Sequence, residues 1–124
     1  MIFFKWIAFS ALTAALALPF NRAVIAAEFV DVLDAPAQMS ELAVQGMLTG
    51  LTHAGERLIV VGQRGHILYS DNAGQHWQQA SVPVSSDLIA VHFPTPQQGW
   101  AVGHDGVVLH SRDAGETWSR QLDG

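Results

Sequence analysis

The chain has 124 residues, room for one domain at most, and no cysteine, which excludes a disulfide framework, a thiolate metal site and a lipid-modified cysteine. Hydrophobic residues make up 49%, with the excess concentrated in the first 27 residues. Beyond them four arginines and no lysine stand against eleven acidic side chains, a balance that repels polyanions and leaves no basic stripe for nucleic acid.

The first 27 residues read as an export signal. Lys5 precedes an apolar run from Trp6 to Phe20, which Pro19, Asn21 and Arg22 bring to an end. Its fifteen residues suit a signal-peptide core and fall short of the ~20 that a membrane span needs. The small residues Ala23, Ala26 and Ala27 fit cleavage, so the mature chain is expected to start near Ala27 or Glu28, outside the cytoplasm, in the periplasm or the extracellular space. An uncleaved anchor is the alternative, and it puts the rest of the chain in the same compartment. Residues 28–47 form an N-terminal segment. Within it Phe29–Leu33 is a β-prone run isolated before Pro36, expected as a strand that closes a ring against a last blade.

The remainder repeats itself. Val61–Trp77 and Val102–Trp118 align without a gap at an offset of 41, with eight of 17 positions identical. Each copy reads as four short strands rich in Val, Ile, Leu and aromatics, bounded by Gly or polar clusters. In the first copy, residues 48–86, these are Leu48–His53, Leu58–Val61, His66–Ser70 and His76–Ala80. In the second, residues 87–124, they are Leu88–Phe93, Trp100–Val102, Val107–Ser111 and Thr117–Gln121. Four strands per unit at a period of about 40–50 residues is the mark of β-propeller blades. The expected fold is all-β: two four-stranded blades of a larger ring, and so a fragment, since rings close with about four to eight.

Two turns punctuate each copy. Gly62-Gln63-Arg64-Gly65 matches Gly103-His104-Asp105-Gly106, and the second glycine suits a hairpin turn with φ > 0. The other turn runs from Ser70 to Trp77 and from Ser111 to Trp118. There Asn72 or Asp113 can accept backbone N–H bonds, Gly74 or Gly115 can turn left-handed, and the serine can add a hydroxyl bond. Trp77 and Trp118 offer faces for packing between blades. These eight residues are therefore assigned structural roles. Strand alternation puts the first pair of turns at one end, with the connection between blades, and the second pair at the other. The tips Gln63, Arg64, His104 and Asp105 differ between copies, as befits side chains free for recognition, and are the candidate partner-binding residues.

Ser-x-Asp-x-Gly-x-Thr-Trp is the Asp-box, or bacterial neuraminidase repeat. The second copy matches it fully, while the first has Asn72 for Asp and His76 for Thr. Val-Gly-x-x-Gly-x-[Ile/Val]-Leu-x-Ser running into an Asp-box, after an export signal, resembles the photosystem II stability and assembly factor family from about Leu48 onward. The resemblance implies a seven-bladed propeller outside the cytoplasm, or in the thylakoid lumen of a phototroph. It further implies assistance to a membrane protein complex, a protein partner and no catalysis. Many members carry a lipid-anchored cysteine after the signal, and this chain has none.

An exported Asp-box glycoside hydrolase of the sialidase kind is the alternative. It requires an arginine triad, a tyrosine nucleophile and an acidic partner; here Arg64 and Arg112 sit in turns and Tyr69 in a strand. His66, His76, His104 and His110 each lack a counterpart in the other copy, and no pair has ligand spacing with a carboxylate on a shared face. Asp71, Asn72 and Asp113 are too few for a calcium cage. No metal and no cofactor is expected, and the sequence identifies no small-molecule substrate.

Overall fold

The computed structural model describes residues 28–121, so the expected export signal lies outside the described residues. Among the described residues eight strands pair antiparallel in two sheets, each in sequence order. The first holds β1 (Leu48–Ala54), β2 (Arg57–Gly62), β3 (Ile67–Ser70) and β4 (Gln78–Gln79). The second holds β5 (Leu88–His92), β6 (Gly99–Gly103), β7 (Val108–Ser111) and β8 (Ser119–Arg120). The repeat persists in the register: Val61 pairs with Ile67 as Val102 pairs with Val108. Even the irregularity is shared, a shift between Leu48 and Gly50 in β1 and between Leu88 and Ala90 in β5.

Successive side chains on a strand point to opposite faces, so each sheet must bury one face or both. The first sheet buries both. Ile59, Val61, Ile67 and Tyr69 enter one core with Leu88, Ala101, Leu109 and Trp118 of the second sheet. Val60 and Leu68 point the other way, under Ala43 and Trp77. This is why β2 reads as an unbroken apolar run rather than an alternating one. Ile59, Val61 and Ile67 are wholly buried, and burial of each such side chain contributes roughly 1.5–3 kcal/mol. The second sheet buries one face only: Ala101 is covered, whereas Trp100 and Val102 beside it are 39% and 42% exposed.

Trp118 meets Phe93 edge to face, with ring centroids 5.7 Å apart. Gly99 makes room for that ring, since a Cβ there would stand 2.4 Å from Phe93. The blades are joined at both edges. Thr49 of β1 donates its hydroxyl to the Leu88 carbonyl of β5 at 2.6 Å. Ser81 N–H donates to Glu116 O at 3.0 Å, and Trp118 N–H returns to Ser81 O at 3.1 Å.

One expectation is corrected. The outer strands are shorter than read, because Trp77 and Trp118 belong to the turns that precede them, leaving two residues each for β4 and β8. Among the described residues, residues 29–33 pair with no strand, and the last blade against which a strand was expected there is not among them. Asp31 Oδ1 accepts the Leu33 N–H at 2.9 Å and Asp31 O accepts the Asp34 N–H at 2.9 Å, which bends residues 32–34 into a turn. The chain then runs along the outer edge of the first blade. Ala37 N–H donates to Val82 O at 3.0 Å, and the Gln79 side chain bonds the backbone of Ser40 and Gln38 at 2.9 and 2.8 Å. Ser40 caps a 3-10 helical turn, Glu41–Gln45, whose Ala43 seals Val60 and Leu68.

Candidate functional site

The two hairpin turns and the connection between blades share one end of the molecule. His66 N–H closes on Gln63 O at 3.1 Å, and Val107 N–H closes on His104 O at 3.2 Å. Between them Arg64 and Gly65 lie at φ 57° and 71°, and Asp105 and Gly106 at 60° and 68°. Two successive residues at positive φ make a type I′ turn, whose twist matches that of the strands it joins. The second glycine was legible in the sequence; the left-handed arginine and aspartate before it were not. Gly65 is also packed in, since a Cβ there would stand 2.1 Å from Val84 O, whereas Gly106 has open space.

Asp87 anchors both tips. Its Oδ1 accepts the Arg64 N–H at 2.8 Å and its carbonyl accepts the His104 N–H at 2.8 Å. Gln63 N–H donates to Met47 O at 3.1 Å. The backbone of the tips is thus committed, while the side chains of Arg64, His104 and Asp105 are exposed and that of Gln63 is half-buried. The structure does not gather all four. Gln63 and Arg64 line a cavity of about 700 Å³ with His66 and the N-terminal segment; His104 and Asp105 stand outside it. Asp87 was not singled out in the sequence, where it is one polar residue in a connection.

The Asp-boxes occupy the opposite end, and their side chains are consumed. Ser70 Oγ accepts the Gly74 N–H at 2.8 Å and donates to Asn72 Oδ1 at 2.9 Å, which also accepts the His76 N–H at 2.8 Å. That leaves the Asn72 amide to donate to His76 Nδ1 at 2.6 Å. Ser111, Asp113 and Gly115 repeat the pattern at 2.9 Å, with Thr117 giving both its N–H and its hydroxyl to Asp113. The Trp118 indole donates to Gly115 O at 3.0 Å. Burial pushes the Asp113 carboxyl up, but the bonds from Thr117 and Ser111 outweigh it and hold it below the usual carboxylate range.

Arg57 ties the two boxes together. It grips Asp71 with two bonds of 2.7 and 3.0 Å, donates to Ala114 O at 3.2 Å and lies 4.5 Å above the Tyr69 ring. The guanidinium keeps the exposed Asp71 carboxyl below its ordinary value. Tyr69, the sole tyrosine, is 8% exposed and donates to Gln78 Oε1 at 2.8 Å. Burial and the Glu116 carboxylate push its phenol above the ordinary value. Both effects favour the neutral phenol over the phenolate. The histidines are scattered: His110 stacks on Trp100 with centroids 4.4 Å apart, His76 serves its box, and His104 is exposed.

Successive four-stranded sheets, joined through their innermost strands and each closed by an Asp-box, define blades of a β-propeller. The chain belongs to the photosynthesis system II assembly factor YCF48 family, whose model matches residues 33–123. Among curated relatives, the photosystem II assembly lipoprotein Ycf48 of Synechococcus sp. (strain CC9902) is 34% identical over 65 residues, 49% of this chain and 19% of that protein. The chloroplastic photosystem II stability/assembly factor HCF136 of Cyanidioschyzon merolae is 45% identical over 47 residues, 36% of this chain and 11% of that one. The matches thus span a fifth or less of those relatives' length. Two solved structures share the fold. YCF48 bound to a D1 peptide has a TM-score of 0.56 at 23% identity, covering 63% of this chain and 27% of that one. YCF48 from Cyanidioschyzon merolae has a TM-score of 0.57 at 21% identity, covering 72% and 30%.

Proposed function

We propose that the chain is an exported, non-catalytic propeller module that binds a protein partner and assists assembly of a membrane protein complex, photosystem II where the source is a phototroph. The binding residues are Gln63, Arg64, His104 and Asp105, at the end that carries the hairpin turns. The observation that carries this reading is the division of labour between the ends. Box side chains spend their hydrogen bonds on their own turns, whereas the tips are fixed through backbone N–H groups and leave side chains unspent. Support for a peptide-like partner comes from the relative solved with a D1 peptide. Support for a place outside the cytoplasm comes from the N-terminal apolar run and from relatives described as a lipoprotein and as chloroplastic. The test is client pull-down with Arg64→Ala and Asp105→Ala, beside melting temperature. Lost capture at unchanged stability is the expected result; unchanged capture overturns the assignment.

A further inference from the structure

Large apolar side chains stand in the open at the end of the molecule that carries the hairpin turns. Leu42 and Met47 are 66% and 68% exposed, and Val32, Leu48 and Ile89 are exposed with them. Their contacts place all five beside the turns. The Met47 carbonyl accepts the Gln63 N–H at 3.1 Å and Leu48 pairs with Gly62, so both adjoin the first turn. Val32 and Leu42 line the cavity that Gln63 and Arg64 border. Ile89 follows Leu88, which pairs with Gly103 at the foot of the second turn. A single exposed side chain of this kind is ordinary, but several gathered at one end mark a surface that meets a protein or a membrane.

The path of the chain selects the membrane. Val32 O accepts the Ser85 N–H at 2.8 Å, and Ser85 lies against the first turn, since a Cβ on Gly65 would stand 3.1 Å from its Cα. Residues 28–31 therefore join the fold at the hairpin end, and Phe29 among them is 91% exposed. In the sequence only seven residues separate Glu28 from Phe20, the last of the apolar run that reads as an export signal. Such a spacer reaches at most about 25 Å. A run that inserts into a bilayer is thus tied to the apolar end of the fold and not to the Asp-box end. The box side chains that face solvent there are polar: Asp71, Asn72, Gln75, His76, Arg112 and Glu116. Charge narrows the kind of surface. Beyond residue 27 four arginines stand against eleven acidic side chains, so an anionic bilayer repels the chain and apolar area must carry the contact. The charged tips Arg64 and Asp105 belong in a headgroup layer, where water still reaches them.

We propose that the hairpin end is a bilayer-facing surface, on which Leu42, Met47, Leu48 and Ile89 enter the headgroup region of a neutral, zwitterionic bilayer. Phe29 and Val32 bring the chain in on the same side, and the Asp-boxes face the aqueous phase. The inference goes beyond the reading of protein binding: it states how the module stands on a membrane.

The chain has no cysteine, so one introduced cysteine carries a label to one place. Met47→Cys at the hairpin end and Gln75→Cys at the box end are made in the full chain, and each takes an environment-sensitive fluorophore. Both are mixed with phosphatidylcholine vesicles that contain a lipid with a nitroxide on its headgroup. Quenching at residue 47 is expected to exceed that at residue 75 by about threefold or more, as for a face buried in the headgroup layer. The comparison reads orientation, so it holds whether the first 27 residues are kept or removed. Leu42→Asp combined with Ile89→Asp is expected to abolish the difference at an unchanged melting temperature, because both side chains are exposed. Should that variant fold poorly, the two labels in the otherwise unaltered chain decide. Equal quenching at the two ends, stronger quenching at residue 75, or none at either overturns the inference. Quenching at residue 47 that grows with added phosphatidylglycerol overturns it too, since charge would then carry the contact. A label at residue 47 that client protein shields and vesicles do not assigns the surface to a protein; it overturns the inference and leaves the proposed function standing.

Discussion

The Asp87 carboxylate accepts the backbone N–H of Arg64 at 2.8 Å, so the residue that opens the second blade holds the first blade's hairpin tip. Its own carbonyl holds the second tip through His104 at 2.8 Å. Removing the side chain should therefore loosen the first tip and spare the second. Asp87→Ala is expected to cost about 1 kcal/mol, the worth of one such bond, and Asp87→Asn, which keeps the acceptor, under half of that. Urea midpoints measure the cost, and amide exchange at Arg64 and His104 separates the tips.

Arg64 sits at φ 57°, where a side chain other than glycine, asparagine or aspartate is strained. Arg64→Asn is expected to raise stability by about 0.5–1 kcal/mol while it lowers partner capture. Asp105 occupies the same place in the second turn at φ 60°, and Asp105→Asn should leave stability within about 0.3 kcal/mol. Melting temperature and pull-down on the same two variants separate strain from recognition.

Asp113 collects bonds from Ser111 and from both donors of Thr117. Asp113→Ala strands those groups and is expected to cost about 2 kcal/mol. Asp113→Asn copies what Asn72 already does in the first box and should cost about half as much. The two also differ in acid. The Asp113 carboxyl titrates lower folded than unfolded, so its stabilisation is complete above its ordinary pKa of 3.8 and fades as pH falls through the folded value. Denaturation curves between pH 5 and pH 2, at roughly half-unit steps, should be shallower for Asp113→Asn.

His66 titrates in the opposite sense of charge but with the same slope. Burial lowers its folded pKa below 6.5, so as pH falls the unfolded chain takes the proton first. Its stabilising contribution is whole above pH 6.5 and declines as pH drops from there to the folded value. Arg64, the permanent charge lining that cavity, deepens the effect. Urea midpoints at about pH 7.5, 6.5 and 5.5 should fall less steeply for His66→Gln than for the unaltered protein.

The blades were legible because backbone geometry demanded particular residues in both copies. Gly65 and Gly106 sit at positive φ, Ser70 and Ser111 bond their own loops, and Trp118 fills the space between blades. Those demands act over a few residues and leave a repeating trace. The N-terminal wrap left none, since it depends on bonds such as Ala37 to Val82 and Val32 to Ser85, far apart in the chain. Residues 29–33 have strand-forming side chains, and one aspartate in their midst bent them. Arg57 and Asp87 act between blades, so nothing around them in the sequence marks them. The cavity has one wall from each kind of segment, and its first wall was invisible for that reason.

Ile59 and Val61 are fully covered by the second blade, and their counterparts one repeat later, Trp100 and Val102, are 39% and 42% exposed. On the far side of the first blade the same kind of surface, Val60 and Leu68, is already sealed by Ala43 of the chain's own 3-10 turn. The stack therefore has a polarity: a lid at one end and an open seat at the other. Val60 and Leu68 are therefore open to another surface only where the turn Glu41–Gln45 is displaced.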